Sequence, residues 1–384
     1  MPKQEIVTPK FTELNELASK INGGKILFAT DDWFAQAENL LTPEEAVFKP
    51  DLYTDCGKWM DGWETRRRRC PGHDWCIIKL GIPGVIHGID LDTAFFTGNY
   101  APRFSLQAAN LNDEDEQFIP EREKDMIGTA STKEMFEKMR KLNSKGWEEL
   151  IHMSDLQPGY EETRHNYFHV DSNKVWTHLR LNIYPDGGIA RLRVFGEAFC
   201  DENVKDTSEI VDLVALQNGG VCKGYSNAHY GHPRNLIRPG QGVNMGDGWE
   251  TARRLDRPAI LETDPYGILQ VPGNEWAVFR LGYIGSVNYI EVDTKHFKGN
   301  FPDSVKIEGT LMKPTREWNN RAIAQCDWHT ILPASKLSAD RVHHFDDHDI
   351  RKTGPFSHVR VTIAPDGGIS RLRIYGNIIA PFPR

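Results

Sequence analysis

The segment THLRLNIYPDGGIARLRVFG, starting at Thr177, returns as SHVRVTIAPDGGISRLRIYG at Ser357, 180 positions later. It is the clearest of several such pairs. PGHDWCIIKLG at Pro71 returns as PGNEWAVFRLG at Pro272, and IDLDTAFFTGNY at Ile89 as IEVDTKHFKGNF at Ile290, both 201 positions later. Asp-Gly-Trp-Glu-Thr occurs at Asp61 and again at Asp247, 186 positions later, with arginines following both times. A weaker pair joins GGKILFATDDWFAQAENLL at Gly23 to GGVCKGYSNAHYGHPRNLI at Gly219. The order is kept and the offset drifts by no more than a loop's length, so each half is a whole domain and not a short solenoid unit. The chain is long enough for two such domains. They are placed at residues 15–200 and 210–384, with the boundary near CDENVKDTSEI, residues 200–210.

Within Val175 to Ile183, Val175, Thr177, Leu179, Leu181 and Ile183 alternate with His178, Arg180 and Asn182. That is the period of a strand with one buried face. Pro185-Asp186-Gly187-Gly188 then reads as a hairpin turn, with the return strand at residues 189–195 carrying Arg191 and Arg193. WCIIKLG, VIHGIDLDT and SLQAA read as further short strands, and helical pattern is confined to FTELNELASK and STKEMFEKMRKLN. Many short strands with close turn signals predict an all-β chain: two tandem jelly-roll β-sandwich domains from an internal duplication, with a few short helices. The acidic, apolar-poor stretch at residues 109–125 is expected to be a solvated loop.

A net charge of −8 and a pI near 6.0 argue against nucleic acid as a partner, which would require a basic face. The six cysteines form no Cys-x-x-Cys pair and read as free thiols. No apolar run approaches a membrane span, and MPKQEIVTPK lacks the apolar core of a signal peptide. A cytoplasmic setting is expected; a peroxisomal one stays open, although PFPR is not a Ser-Lys-Leu address. There is no P-loop, Gly-x-Gly-x-x-Gly fingerprint, Gly-x-Ser-x-Gly elbow or His-Glu-x-x-His. HHFDDHD, residues 343–349, has no counterpart in the first half and reads as a solvated loop, so no metal and no cofactor are expected.

An extended reading of DGWETRR places Asp61, Trp63, Thr65 and Arg67 on one face and Glu64, Arg66 and Arg68 on the other. A turn followed by a core Trp would explain each residue singly. Two acids and several arginines kept twice suggest instead a polar face for a small anionic ligand.

These strings resemble the allantoicase family. KILFATDDWFAQAENLL, GKWMDGWETRRRRCPGHDWCIIKLG, DTAFFTGNYAPR and the twice-used PDGGIxRLR carry the resemblance along nearly the whole chain. The resemblance implies galactose-binding-like jelly rolls, a homo-oligomer, and hydrolysis of allantoate to ureidoglycolate and urea in purine breakdown. Carried over residue by residue, it marks Asp31, Asp32 and Asn39; Asp61, Glu64 and Arg67; and Asp247, Glu250 and Arg253. Expelling urea takes one group to protonate the leaving nitrogen and one to deliver water, and a carboxylate pair can divide those tasks. Glu64 is expected as acid and Asp61 as base, or the reverse. Arg67 and Arg180 are the expected anchors, and Asp32, Asn39, His178, Asp247, Glu250 and Arg253 complete the expected binding set. Asn227 and Ala228 stand opposite Asp31 and Asp32, so the halves are expected to be unequal. The rival expectation is a non-catalytic small-ligand or carbohydrate-binding protein that keeps the fold.

Overall fold

The computed structural model describes residues 8–200, 208–312 and 320–382. The chain divides into two compact units, residues 1–197 and 198–384. The expected boundary segment at 200–210 lies mostly outside the described residues.

Each unit is built around one strand of unusual length, Asp74–Asp92 in the first and Glu275–Asp293 in the second. WCIIKLG and VIHGIDLDT, expected as separate strands, are the two halves of the first of these. Its first half pairs with Lys25–Ala29 on one side and Val175–Tyr184 on the other. Its second half pairs with His165–His169 and Arg191–Ala198. A single strand thus belongs to both layers of the sandwich, the jelly-roll arrangement expected from the sequence. The second unit repeats this: Glu275 lies opposite Ile363 at one end of the long strand, and Asp293 opposite Arg371 at the other.

That topology corrects the hairpin reading. The strands flanking Pro185-Asp186-Gly187-Gly188 do not pair with each other, because each pairs with a different half of Asp74–Asp92. The turn is an arch between the layers, and its Gly188–Ile189 pairs with Trp63–Glu64. Gly187 has φ +132°, and a Cβ there would lie 2.7 Å from the Ala101 amide, so the arch needs glycine.

Two further expectations fail. FTELNELASK forms a short 3₁₀ turn, Lys10–Glu13, and a two-residue strand, Asn15–Glu16, that pairs with Arg191–Ala198; sheet pairing overrides helical propensity there. Residues 109–125 are not a bare loop either. Asn112 caps a short helix, Asp113–Glu116, and Arg122 is buried between Asp32 and Glu38. The expected helix is present as Lys133–Lys141, capped by Thr132. It lies over the outer face of the sheet, where Met139 packs with Phe28, Trp75 and Ile77. His178, Arg180 and Asn182 are therefore buried although they face away from the sandwich core. All six cysteines are free. Among the described residues no helix is long and apolar enough to cross a membrane.

Candidate active site

The local structure of Asp-Gly-Trp-Glu-Thr explains why it is spelled twice. Asp61 accepts from Arg191 Nη2 at 2.8 Å and from the Val47 amide, and Arg191 Nη1 also bonds the Asp61 carbonyl. Gly62 passes so close to the arch that a Cβ would lie 2.5 Å from the Ile189 carbonyl. Trp63 is 0 % exposed, and its indole N–H donates to the Asp31 carbonyl at 2.8 Å. The Thr65 hydroxyl accepts from the Gly187 amide. The second copy repeats each bond: Asp247 with Arg371, Trp249 with the Asn227 carbonyl, Thr251 with the Gly367 amide. A Cβ on Gly248 would meet the Ile369 carbonyl at 2.6 Å. Four of the five residues are held by the fold, and the fifth, glutamate, is the one they present.

Glu64 lines a cavity of about 440 Å³ at the arch end of the first unit, together with Phe34, Arg67, Asn99, Tyr100 and Asp186. Asn99 Nδ2 donates to Glu64 Oε1 at 2.7 Å. Burial pushes the Glu64 carboxyl above its usual range, and the Asn99 hydrogen bond only partly opposes this. Arg67 is exposed to the cavity and pairs with no carboxylate among the described residues. Glu64 and Arg67 thus meet in one cavity, although strict strand alternation assigned them to opposite faces. The strand is only Trp63–Glu64, and the chain leaves it at Thr65.

The remaining expected residues lie elsewhere. Asp61 is engaged by Arg191 and does not line the cavity. Asp32 is buried, bound to the Ala37 amide and to both terminal nitrogens of Arg122. Asp31 holds Arg66, whose guanidinium lies 4.3 Å from the Trp33 ring centroid. Asn39 donates to the Gly62 carbonyl at 3.0 Å, and Asn235 repeats the bond to Gly248. His178 is fully buried, its pKa pulled down to about 4 by desolvation, with Nδ1 bonded to Thr177. Its Nε2 lies 3.3 Å from Glu116 without the alignment of a hydrogen bond. Arg180 lines a different cavity.

In the second unit Asn300 bonds Glu250 as Asn99 bonds Glu64. Arg253 is exposed there, and Asp247 is held by both Arg238 and Arg371.

Asn99 and Asp186 were missed as site residues because both sit in turn motifs, Gly-Asn and Pro-Asp-Gly-Gly, that explain themselves locally. Their signal was repetition: Asn300 and Asp366 stand at the matching places. The three imidazoles of HHFDDHD do not converge. His343 Nε2 accepts from the Ser338 amide, His344 faces Glu291 and His348 lies beside Asp347.

Comparison with known proteins agrees along nearly the whole chain. The family model "Allantoicase repeat" matches residues 15–199 and again 211–379. A probable allantoicase of Pseudomonas fluorescens strain SBW25 is 40% identical over 368 residues, 96% of this chain and 97% of that one. One from Acinetobacter baumannii strain AYE is 40% identical over 363 residues, covering 94% and 93%. The crystal structure of allantoicase from Saccharomyces cerevisiae superposes with a TM-score of 0.68 at 33% identity, covering 95% of this chain and 93% of that one.

Proposed function

The chain belongs to the allantoicase family, and from that premise we propose that it hydrolyses allantoate to ureidoglycolate and urea in purine catabolism, using the cavity around Glu64. The observation that carries the site is that the duplicated motif spends four residues holding one glutamate beside an unpaired arginine. Arg67 receives the substrate carboxylate, since a guanidinium fork matches it in shape and charge. Glu64, raised by burial, is the general acid.

In the reaction a water oxygen bonds to the central carbon of allantoate as the carbon–nitrogen bond to one ureido group breaks. Glu64 gives its proton to the departing nitrogen, which leaves as urea, and a carboxylate base takes the water proton. Asp186, which lines the same cavity and is steadied by the Arg68 amide at 2.9 Å, is better situated for that task than Asp61. Asp61, Asp32 and Asn39 are assigned to holding the motif, through Arg191, Arg122 and the Gly62 carbonyl. Glu250 and Arg253 form the corresponding set in the second unit, with Asp247 as its holding residue. Assembly into a homo-oligomer and a cytoplasmic setting belong to the same proposal.

The test is to incubate the purified protein with allantoate and assay urea and ureidoglycolate together. Equal yields of both are expected; neither product at high protein concentration sinks the reading.

A further inference from the structure

A second cavity, of about 400 Å³, lies between the sheet of the first unit and the helix Lys133–Lys141. Arg68, His73, Trp75, Arg140, Lys145 and Arg180 line it, and among the described residues no carboxylate does. Arg180 is 2 % exposed. Its Nε donates to Asn182 Oδ1 at 2.8 Å and its Nη1 to Ser144 Oγ at 2.6 Å, and its guanidinium lies 3.9 Å from the Trp75 ring centroid. Among the described residues it meets no carboxylate, and its Nη2 donates to no protein group. Arg140 and Lys145 are exposed and likewise pair with no acid, whereas Arg68 is neutralised by Asp74. A buried guanidinium without a counter-charge is costly, and a bound anion would supply the missing charge.

The second unit provides the control within the same chain. Arg360 stands where Arg180 does, and Glu308 takes both its Nε and Nη2, at 2.9 and 2.6 Å. Glu308 lies directly across the strand pair from Arg360, and in the first unit the residue directly across from Arg180 is Gln107. One carboxylate has become an amide, and the arginine it would have neutralised faces a cavity instead.

We propose that this cavity, which shares only the wall residue Arg68 with the one around Glu64, binds a metabolite-sized organic oxyanion carrying at least two negative charges, a phosphate monoester or a dicarboxylate. The volume is that of small-molecule sites in general. Three cations uncompensated by protein acids suit a dianion better than a monoanion. The aromatic floor of Trp75 leaves room for an apolar body beside the charged end.

Calorimetry on the full chain with inorganic phosphate, and separately with malonate, tests this. At least one probe should bind, more weakly as salt rises, and the stronger one identifies the oxyanion class. Gln107→Glu, which copies the second unit, should weaken that binding by roughly tenfold or more, the loss of one charge-assisted contact. Because Gln107 also donates to the Lys145 and Trp147 carbonyls, the surface double variant Arg140→Ala with Lys145→Ala is the second arm. It should weaken binding by a similar factor while the ligand-free melting temperature and urea release stay unchanged. The proposal falls if neither probe binds at millimolar concentration, if both variants bind as the parent does, or if allantoate competes with the probe.

Discussion

The two units hold their shared motif with the same bonds and surround it with different charges. In the first, Asp32 and Glu38 enclose Arg122, Asp31 holds Arg66, and among the described residues Asp186 accepts only the Arg68 amide. In the second, Asn227 keeps just the backbone part of the Asp31 role, accepting from the Ala252 amide, and Ala228 replaces Asp32. Asp366, the counterpart of Asp186, accepts the Arg254 amide but is also paired with Arg257. Tyr100 in the first cavity corresponds to Phe301, which lacks the hydroxyl. The motif repeats a way of presenting glutamate; the neighbours differ in whether the second carboxylate beside it is already paired with an arginine. The comparison teaches that repetition in a sequence marks scaffold and site together, and that charge at the edges separates them.

The sharpest way to break this comparison is to remove each glutamate in turn. Glu64→Gln should lower kcat by roughly 10²-fold or more, as for loss of a general acid, with little change in melting temperature. Glu250→Gln should lower it far less, because Asp366 is already occupied by Arg257. Steady-state kinetics on both variants decide the matter, and equal losses would mean two working sites. The pH profile sharpens the assignment. Burial raises the Glu64 pKa, so the acid is protonated below that value and ionises above it; kcat/KM should fall as pH rises through it, and the residual activity of Glu64→Gln should lack that fall.

Arg67→Ala should come next in size. Losing the carboxylate anchor is expected to raise KM by roughly tenfold or more, with a smaller fall in kcat if the contact is made equally in ground and transition states. Arg253→Ala should move KM much less. A kcat loss without a KM change for Arg67→Ala would transfer it from anchoring to stabilising the transition state.

The holding aspartates give the comparison in stability. Asp61 pairs with the buried Arg191 and its side chain is 15% exposed, whereas Asp247 is 5% exposed and pairs with both Arg371 and Arg238. Removing one partner of a buried pair leaves the other charge stranded. Asp61→Asn should cost about 2 kcal/mol and Asp247→Asn about 3 kcal/mol, read from thermal melts of both variants. A parent-like melt for Asp61→Asn with a large kcat loss would return Asp61 to the role of base.

Much of this was legible in the sequence because it was written twice. The duplication fixed the number of domains, the alternation at residues 175–183 fixed a strand with an apolar inward face, and Glu64 with Arg67 stood out through their copies. What stayed hidden depended on contacts between distant segments. Nothing local tells that Arg122 crosses back to Asp32 and Glu38, or that the helix Lys133–Lys141 buries the polar side of the sheet. The arch at Pro185 reads as a hairpin because its turn chemistry is that of a hairpin; only the length of Asp74–Asp92 sends its two flanking strands to different layers.

The smallest expected effect is none: activity should survive a chelator. Among the described residues each unit offers one cluster of acids and histidine close enough to hold a cation, and the two differ in what surrounds them. In the first, Glu45, Asp92 and His165 lie together, but Arg164 already pairs with both Glu45 and Asp92. A metal ion would have to displace that guanidinium, since two cations at ligand distance repel strongly in a partly buried site. In the second, Asp346, Asp347 and His348 are all exposed, and solvent competes for an ion bound there. Neither cluster includes Glu64, Arg67 or their counterparts, so a metal at either would act from outside the proposed site. Assaying urea release before and after dialysis against chelator, then with single divalent ions restored, is the measurement. Loss in chelator that one particular ion reverses would overturn the metal-free reading and direct attention first to Glu45 and Asp92, the two ligands that displacing Arg164 would free at once.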